Sequence, residues 1–483
     1  MTKIIPVKAK GFLHYKKDNL TVLEIDEINA MAGSISKNHN EKLRKLSGDE
    51  KCKYVSETHE FGIAVTKTGK ATVSSMTRRL CDKKWWRRQL IRKADEHREH
   101  LAHISKALGR DTEQQCCTDE TVRIMHQRMV SVRRMMDNSF KIITSTIGSE
   151  RPVYFSMGEL DKKKRAARLN EVFMDVKALE SIAKMYGWRW SFVTLIAPSQ
   201  YHSNPAEGVN SYDFTLTANM ANTAIAKDWK SIRDYLKERL FFPWEHYFGI
   251  RVTEVHEDGC PHWHILIFHH DSVLEHIYAA VERIFEKRSK EWYFEKFKDK
   301  IIMVGKSEKA GETGVAAASS YIFGYLKFAL HCDDSDEPNY SIANKYKCAI
   351  KAMKVRQYQF FGVKNSKGKL RALAQVRGKA GVPESIKEMA EEMFVRALPE
   401  GGDQAFEVSR RERQLAARIK FYLGDADLLS FEREKYINVY GEEVERVLSI
   451  KHAGDSEAVQ IGGLCEDISK PELDALLASD DTK

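Results

Sequence analysis

The chain has 483 residues, 42% hydrophobic and 10% aromatic, enough for two or three domains with at least one sizeable core. No apolar run approaches the ~20 residues that cross a bilayer, no secretory signal is expected because Met1 to Lys10 leads into no sustained apolar stretch, and eight cysteines without a CxxC pair or zinc-type spacing fit a reduced compartment. The formal charge is +9, but residues 452–483 hold eight acidic residues against two lysines, a balance of −6 that leaves +15 on residues 1–451 and suits a polyanionic partner.

Residues 1–75 mix strand-like runs such as Phe61 to Val65 with polar stretches. From Lys83 to Leu108 the pattern is helical, with Trp85, Trp86, Leu90, Ile91, Leu101, Ile104 and Leu108 as its apolar set and Arg87, Arg88, Arg92 and Lys93 as its basic studs. A second helix is predicted over Leu160 to Tyr186, with the run Lys162 to Arg165 near its start. Trp190 to Ala197 reads as a strand and Ala224 to Phe242 as a helix stopped by Pro243. Tyr247 to His256 and His262 to His269 are two strands joined through Asp258-Gly259, a hairpin signal. Asp271 caps a helix running to about Lys298, followed by a strand at Ile301 to Val304, then Gly311 to Gly314 and a helix from Val315 to about His331. Arg356 to Phe361 is one more strand, and Pro383 to Leu448 reads as helical and mixed in charge.

The order β-α-β-β-α-β-α predicts an α+β fold with a ferredoxin-like antiparallel sheet and helices. The expected parts are a basic, largely helical region over 1–150, the α+β domain over 151–375, a C-terminal helical region over 376–451, and an acidic flexible tail over 452–483.

His262-Trp263-His264 places two histidines on one face of a strand and Trp263 on the other. Glu254 lies eight residues before His262. A three-residue loop, Glu257-Asp258-Gly259 with Gly259 left-handed, sets Glu254 directly across from His262 on the histidine face. A carboxylate and two imidazoles with open positions suit Mg²⁺ or Mn²⁺ as a Lewis acid on phosphate. A two-residue loop would turn Glu254 away. His256 shares the parity of Glu254 and is the rival third ligand, whereas His270, six strand residues beyond His264, falls ~20 Å off.

Tyr321 and Tyr325 lie four apart on a predicted helix and so share a face. A phenol is a weak nucleophile at its free pKa of ~10 and needs activation, which a cation on the attacked phosphate supplies. Two such phenols suit two successive strand transfers, a need that a water-using nuclease lacks.

These segments together resemble the phage replication gene A protein family, within the HUH endonuclease superfamily. Thr194 to Ser199 with Tyr201-His202 looks like its first strand motif. Arg251-Val-Thr-Glu254 with His256, Asp258-Gly259 and Pro261 to His264 matches its histidine motif, and Tyr321 and Tyr325 match its YxxxY motif. Arg356 to Gly362 resembles a later family segment, and Trp85 to Arg88 an upstream helix; the likeness covers roughly residues 80 to 375.

The resemblance implies an HUH endonuclease domain over 151–375 that nicks one strand at an origin through a 5′-phosphotyrosine and religates it in rolling-circle replication. His262 and His264 become metal ligands and Tyr321 and Tyr325 nucleophiles, with Lys327, Arg251 and Arg356 expected to contact DNA. The implied partners are single-stranded or supercoiled origin DNA, a host helicase and the replicative polymerase, in the bacterial host cytoplasm and without a membrane. One departure stands out: the family usually sets a lysine just before the second tyrosine, where this chain has Gly324.

Gly305-Lys306-Ser307 echoes a phosphate-binding loop, but the glycine required five residues earlier is Lys300, so no ATPase is expected and unwinding falls to the helicase. A two-tyrosine transposase often carries a cysteine-rich zinc module that these cysteines cannot build. A relaxase usually has its tyrosine before the histidines. A non-catalytic DNA-binding protein with a decayed site would not need both pairs, and a structural zinc protein would form no covalent DNA adduct.

Overall fold

The computed structural model describes residue 20 and residues 24–65, 72–143, 153–206, 209–306, 317–330, 337–363, 366–377, 379, 381–394, 404–461 and 465–469. The N-terminal part is helical: α1 (Ile25–Arg44), α2 (Gly48–Glu57), a small hairpin of β1 (His59–Glu60) and β2 (Ile63–Ala64), α3 (Val73–Leu80), α4 (Lys83–Ile104) and α5 (Asp119–Asp137). Next come β3 (Ser139–Ile143), β4 (Val153–Ser156) and the long α6 (Met157–Met185). The central run is β5 (Arg189–Ile196), α7 (Ala218–Glu238), β6 (Tyr247–Val255), β7 (Pro261–His269), α8 (Leu274–Lys287), α9 (Glu291–Ile301), β8 (Ile302–Lys306), α10 (Ala318–Ala329), α11 (Ile342–Met353) and β9 (Tyr358–Phe361). The chain ends in α12 (Ser366–Val376), α13 (Glu384–Met393), α14 (Gln404–Leu423), β10 (Leu429–Ile437), β11 (Glu443–His452), β12 (Val459–Gln460) and β13 (Cys465–Ser469).

Five strands form the central sheet in the order β8-β5-β7-β6-β9, every neighbouring pair antiparallel. This is an α+β fold with helices on both faces. Alternation sorts the side chains. Phe192, Phe248, Ile250, Val252, Leu266 and Phe268 pack with α6, α10 and the C-terminal helices, while Val193, Leu195, Tyr247, Trp263, Ile265 and Ile267 pack with α7, α8 and α9. Both faces are covered, so β6 and β7 are buried along their whole length.

Four expectations change. The single helix predicted from Asp271 to about Lys298 is two, because Ser289 takes a left-handed backbone (φ 53°). That break folds α9 back so that Phe294 stacks 5.5 Å from Phe285. The helix predicted to run to Leu448 ends with α14, and β10 and β11 form an antiparallel hairpin; their charged residues alternate across a ribbon rather than lining a helix face. The tail expected to be flexible from residue 452 contributes β12, paired with β11, and β13, which adds to β3. Within α4, Leu101 is exposed, and His100 and His103 are buried in its stead. The Gly311 to Gly314 segment lies outside the described residues. Among the described residues no helix is long and apolar enough to cross a membrane.

Candidate active site

The site is built on the β6–β7 ribbon. Glu254 pairs directly with His262, as the three-residue loop requires. The turn closes with His256 N donating to Cys260 O at 2.8 Å and Gly259 N to His256 O at 2.8 Å. Gly259 is left-handed (φ 81°), and a Cβ there would fall 2.7 Å from His103 Nε2 and 3.1 Å from Cys116 O. The N-terminal helices thus clamp the turn. Cys116 N donates to Glu257 O at 2.8 Å, and His202 Nδ1 lies 3.1 Å from Asp258 Oδ2.

The donor atoms converge. His262 Nε2 and His264 Nε2 are 2.9 Å apart, and Glu254 Oε2 lies 3.1 Å from His264 Nε2 and 3.5 Å from His262 Nε2. Adjacent ligands on an octahedron of radius ~2.1 Å are ~3 Å apart, so these three fit one face of a divalent cation's shell. Among the described residues they are the group that can share one ion. All three are buried. Burial alone would raise the Glu254 carboxyl, but hydrogen bonds from the two imidazoles hold it down at about 2. Burial lowers His262 to about 4, which keeps its ring neutral, the protonation state that ligates a metal.

Neighbours fix the rings. Thr194, opposite His264 on β5, places Oγ1 3.2 Å from His264 Nδ1. His256 stacks against His262 with ring centroids 4.1 Å apart; the structure sets it beside the donor triad rather than within it. His270 is exposed and bonds Ser272 Oγ at 2.7 Å. Trp263 points to the opposite face, where its Nε1 donates to Asn222 Oδ1 at 3.0 Å.

Helix α10 lays both tyrosines over this face. The Tyr325 ring is 4.2 Å from the His264 ring, Tyr321 is 4.6 Å from Phe192, and the two tyrosine rings are 5.8 Å apart. Tyr321 is 36% exposed and so reachable from solvent. Burial, the hydrogen bond with Tyr321 and the charge of Glu254 raise the Tyr325 phenol above its ordinary value.

The three expected DNA contacts fare differently. Arg251 is brought to the other side of the sheet: it is buried, its guanidinium sits 3.7 Å over the Trp263 ring and it donates to Gln359 Oε1 at 3.0 Å. Arg251 is three residues from Glu254, so strand parity itself turns it away. Arg356 is exposed at the mouth of β9, and its carbonyl accepts from Thr253 Oγ1 at 2.9 Å. Lys327 is exposed but about 200° round the helix from Tyr325. A Cβ added at Gly324 would meet nothing within 4 Å, so its lack of a side chain is not imposed by packing. One residue at the site carried no sequence signal. Tyr346, on α11, places its hydroxyl 3.5 Å from Glu254 Oε2, across a separation of 92 residues.

The family model of the bacteriophage replication gene A protein matches residues 22–360. The chain belongs to this family. Relatives include the replication gene A protein of Escherichia phage 186, 28% identical over 304 residues that make up 59% of this chain and 41% of that protein. A replication protein of Haemophilus phage HP1 is 28% identical over 304 residues, 60% of this chain and 36% of its own. A probable replication endonuclease from a prophage-like region of Salmonella paratyphi A is 27% identical over 198 residues, 40% and 23% respectively. The matched segments therefore span less than half the length of these relatives. No solved structure matches the chain significantly.

Proposed function

We propose that this gene A family member is a rolling-circle replication initiator, a metal-assisted nickase with a tyrosine nucleophile on a ferredoxin-like HUH core. The strand order supports the core. Each strand–helix–strand unit, β5-α7-β6 and β7-α8-α9-β8, leaves one strand's gap that the other unit fills. The observation that carries the reading is the convergence of two tyrosine rings on the histidines, Tyr325 lying 4.2 Å from His264 with Tyr321 one turn away.

A phenol oxygen forms the new bond to phosphorus, and the bond from phosphorus to the 3′ oxygen breaks. The phenol loses its proton, and the departing oxygen takes one up to become a free 3′-hydroxyl for a host polymerase. Mg²⁺ or Mn²⁺ held by Glu254, His262 and His264 supplies charge neutralisation at the phosphate. Tyr321 and Tyr325 serve successive transfers: cleavage by the second frees a new 3′-hydroxyl, whose oxygen attacks the first phosphotyrosine and releases its phenol, which takes up a proton. Origin DNA, a host helicase and the bacterial cytoplasm complete the setting.

Incubation with labelled single-stranded origin DNA and Mn²⁺ tests this directly on denaturing gels. A covalent adduct is expected with metal, retained by Tyr321→Phe or Tyr325→Phe alone and lost in the double variant. An adduct that persists in the double variant, or forms equally in EDTA, would sink the mechanism.

A further inference from the structure

Glu254 is the carboxylate of the donor triad, and a buried carboxylate with free rotation would present its oxygens to a cation only part of the time. Contacts from outside the ribbon orient the triad, one on His264 and one on the Glu254 carboxylate itself. Thr194 Oγ1, 3.2 Å from His264 Nδ1, fixes which imidazole nitrogen faces the cation. The Tyr346 hydroxyl lies 3.5 Å from Glu254 Oε2. Its helix is anchored on either side of it: Lys345 Nζ lies 2.6 Å from Asp119 Oδ1 on α5, Cys117 Sγ donates to Lys345 O at 3.2 Å, and Cys348, Ala349 and Ile350 are buried against Cys116, Cys117 and Val255. The phenol is thus held by packed elements and not by a mobile loop.

We propose that Tyr346 is a positioning residue for the metal centre, its hydroxyl donating to Glu254 and holding the carboxylate beside His262 and His264. The carboxylate oxygen keeps a second lone pair for the cation while it accepts this bond. Partners of this kind typically tune metal affinity by 10-fold or more. This inference rests on reading the triad as the metal site, so its test begins with metal alone.

Mn²⁺ binding to the full chain is measured by titration calorimetry and by the electron paramagnetic resonance of free Mn²⁺, without DNA, for wild type, His264→Ala and Tyr346→Phe. Wild type binds and His264→Ala does not; failure of wild type to bind would remove the metal site itself and the inference with it. Tyr346→Phe keeps the ring and its packing, and is expected to weaken Mn²⁺ binding on the order of 10-fold. Its melting temperature in EDTA stays at the wild-type value. The Mn²⁺ concentration that half-saturates adduct formation rises in step, while the rate at saturating Mn²⁺ is retained. Equal affinity in Tyr346→Phe and wild type, with wild type binding, overturns the role of Tyr346 alone. So does an affinity loss matched by a lower melting temperature in EDTA, which would mark the contact as packing.

Discussion

Glu99 on α4 is fully buried, with Thr121 Oγ1 donating to its Oε1 at 2.6 Å. Burial pushes its carboxyl up to about 7, against the opposing pull of that hydrogen bond and of Arg98. The unfolded carboxyl titrates near ~4.3. Between those values the folded chain holds a proton that the unfolded chain has released, so stability falls as pH rises from about 4.5 to about 7. Glu99→Gln keeps the acceptor for Thr121 and removes the charge. It is expected to stabilise the fold on the order of 3 kcal/mol at pH 8 and to be neutral at pH 4. Urea unfolding at both pH values checks this, and equal gains at both would refute the linkage. At the same scale, the paired histidines were legible because strand alternation is rigid: His262 and His264 had to share a face once they lay in a strand. Glu254 followed from one glycine in the turn. The same parity sets Arg251 on the opposite face, over Trp263, and Tyr346 was invisible because nothing local links residue 346 to residue 254.

Helix α10 carries both nucleophile candidates, and its first turn is tied down from outside. Ala318 N donates to Glu180 Oε1 of α6 at 3.1 Å, and Phe173 packs 4.7 Å from Phe323. An N-terminal N–H has no partner in its own helix, so the Glu180 carboxylate caps this one. Glu180→Ala leaves a buried donor unsatisfied and is expected to destabilise by about 1–3 kcal/mol. It should also slow adduct formation more than it weakens Mn²⁺ binding, because Glu254, His262 and His264 lie on β6 and β7 and not on α10. Slower adduct formation accompanied by equally weakened Mn²⁺ binding would show that helix and ribbon move together. Elements with a strong period were readable: α4, α6, β5, β6 and β7 lie within a few residues of expectation. The β10–β11 hairpin was not, because Glu-Arg-Glu-Lys and Glu-Glu-Val-Glu-Arg runs satisfy helical charge spacing as well as a two-sided ribbon. Its Gly441, left-handed at φ 78° and close against Arg78, was the overlooked turn signal.

Across the whole molecule the C-terminal third shares the core of the central sheet. Leu370, Leu373, Phe421 and Ile450 pack in one cluster with Phe192, Phe248 and Ile322. A buried charge cluster fastens it. Asp175 of α6 meets Lys367 Nζ of α12, Arg418 Nε of α14 at 3.3 Å and Tyr422 Oη at 3.2 Å. Asp175→Ala strands the buried Arg418 and the partly buried Lys367, so a loss of about 3 kcal/mol in urea unfolding is expected; a loss under about 1 kcal/mol would mean that solvent already reaches both cations. The hairpin tip closes the circuit back to the N-terminal helices, where Arg79 Nη2 lies 2.7 Å from Glu442 Oε2 and Tyr440 Oη donates to Asp82 Oδ2 at 2.8 Å.

By itself the sequence determined the α+β class, the histidine ribbon with its turn, and the shared face of Tyr321 and Tyr325, because each follows from a fixed local period and a handful of bond geometries. Only the tertiary structure decided that α10 lies against the ribbon, that Tyr346 and Thr194 brace the donor triad, and that segments far apart in sequence are joined, as in the Asp175 to Tyr422 link across 247 residues or the Arg79 to Glu442 pair across 363 residues. Contacts at such separations arise from burying apolar faces against one another, a choice made by the whole chain at once and written in no single stretch of it.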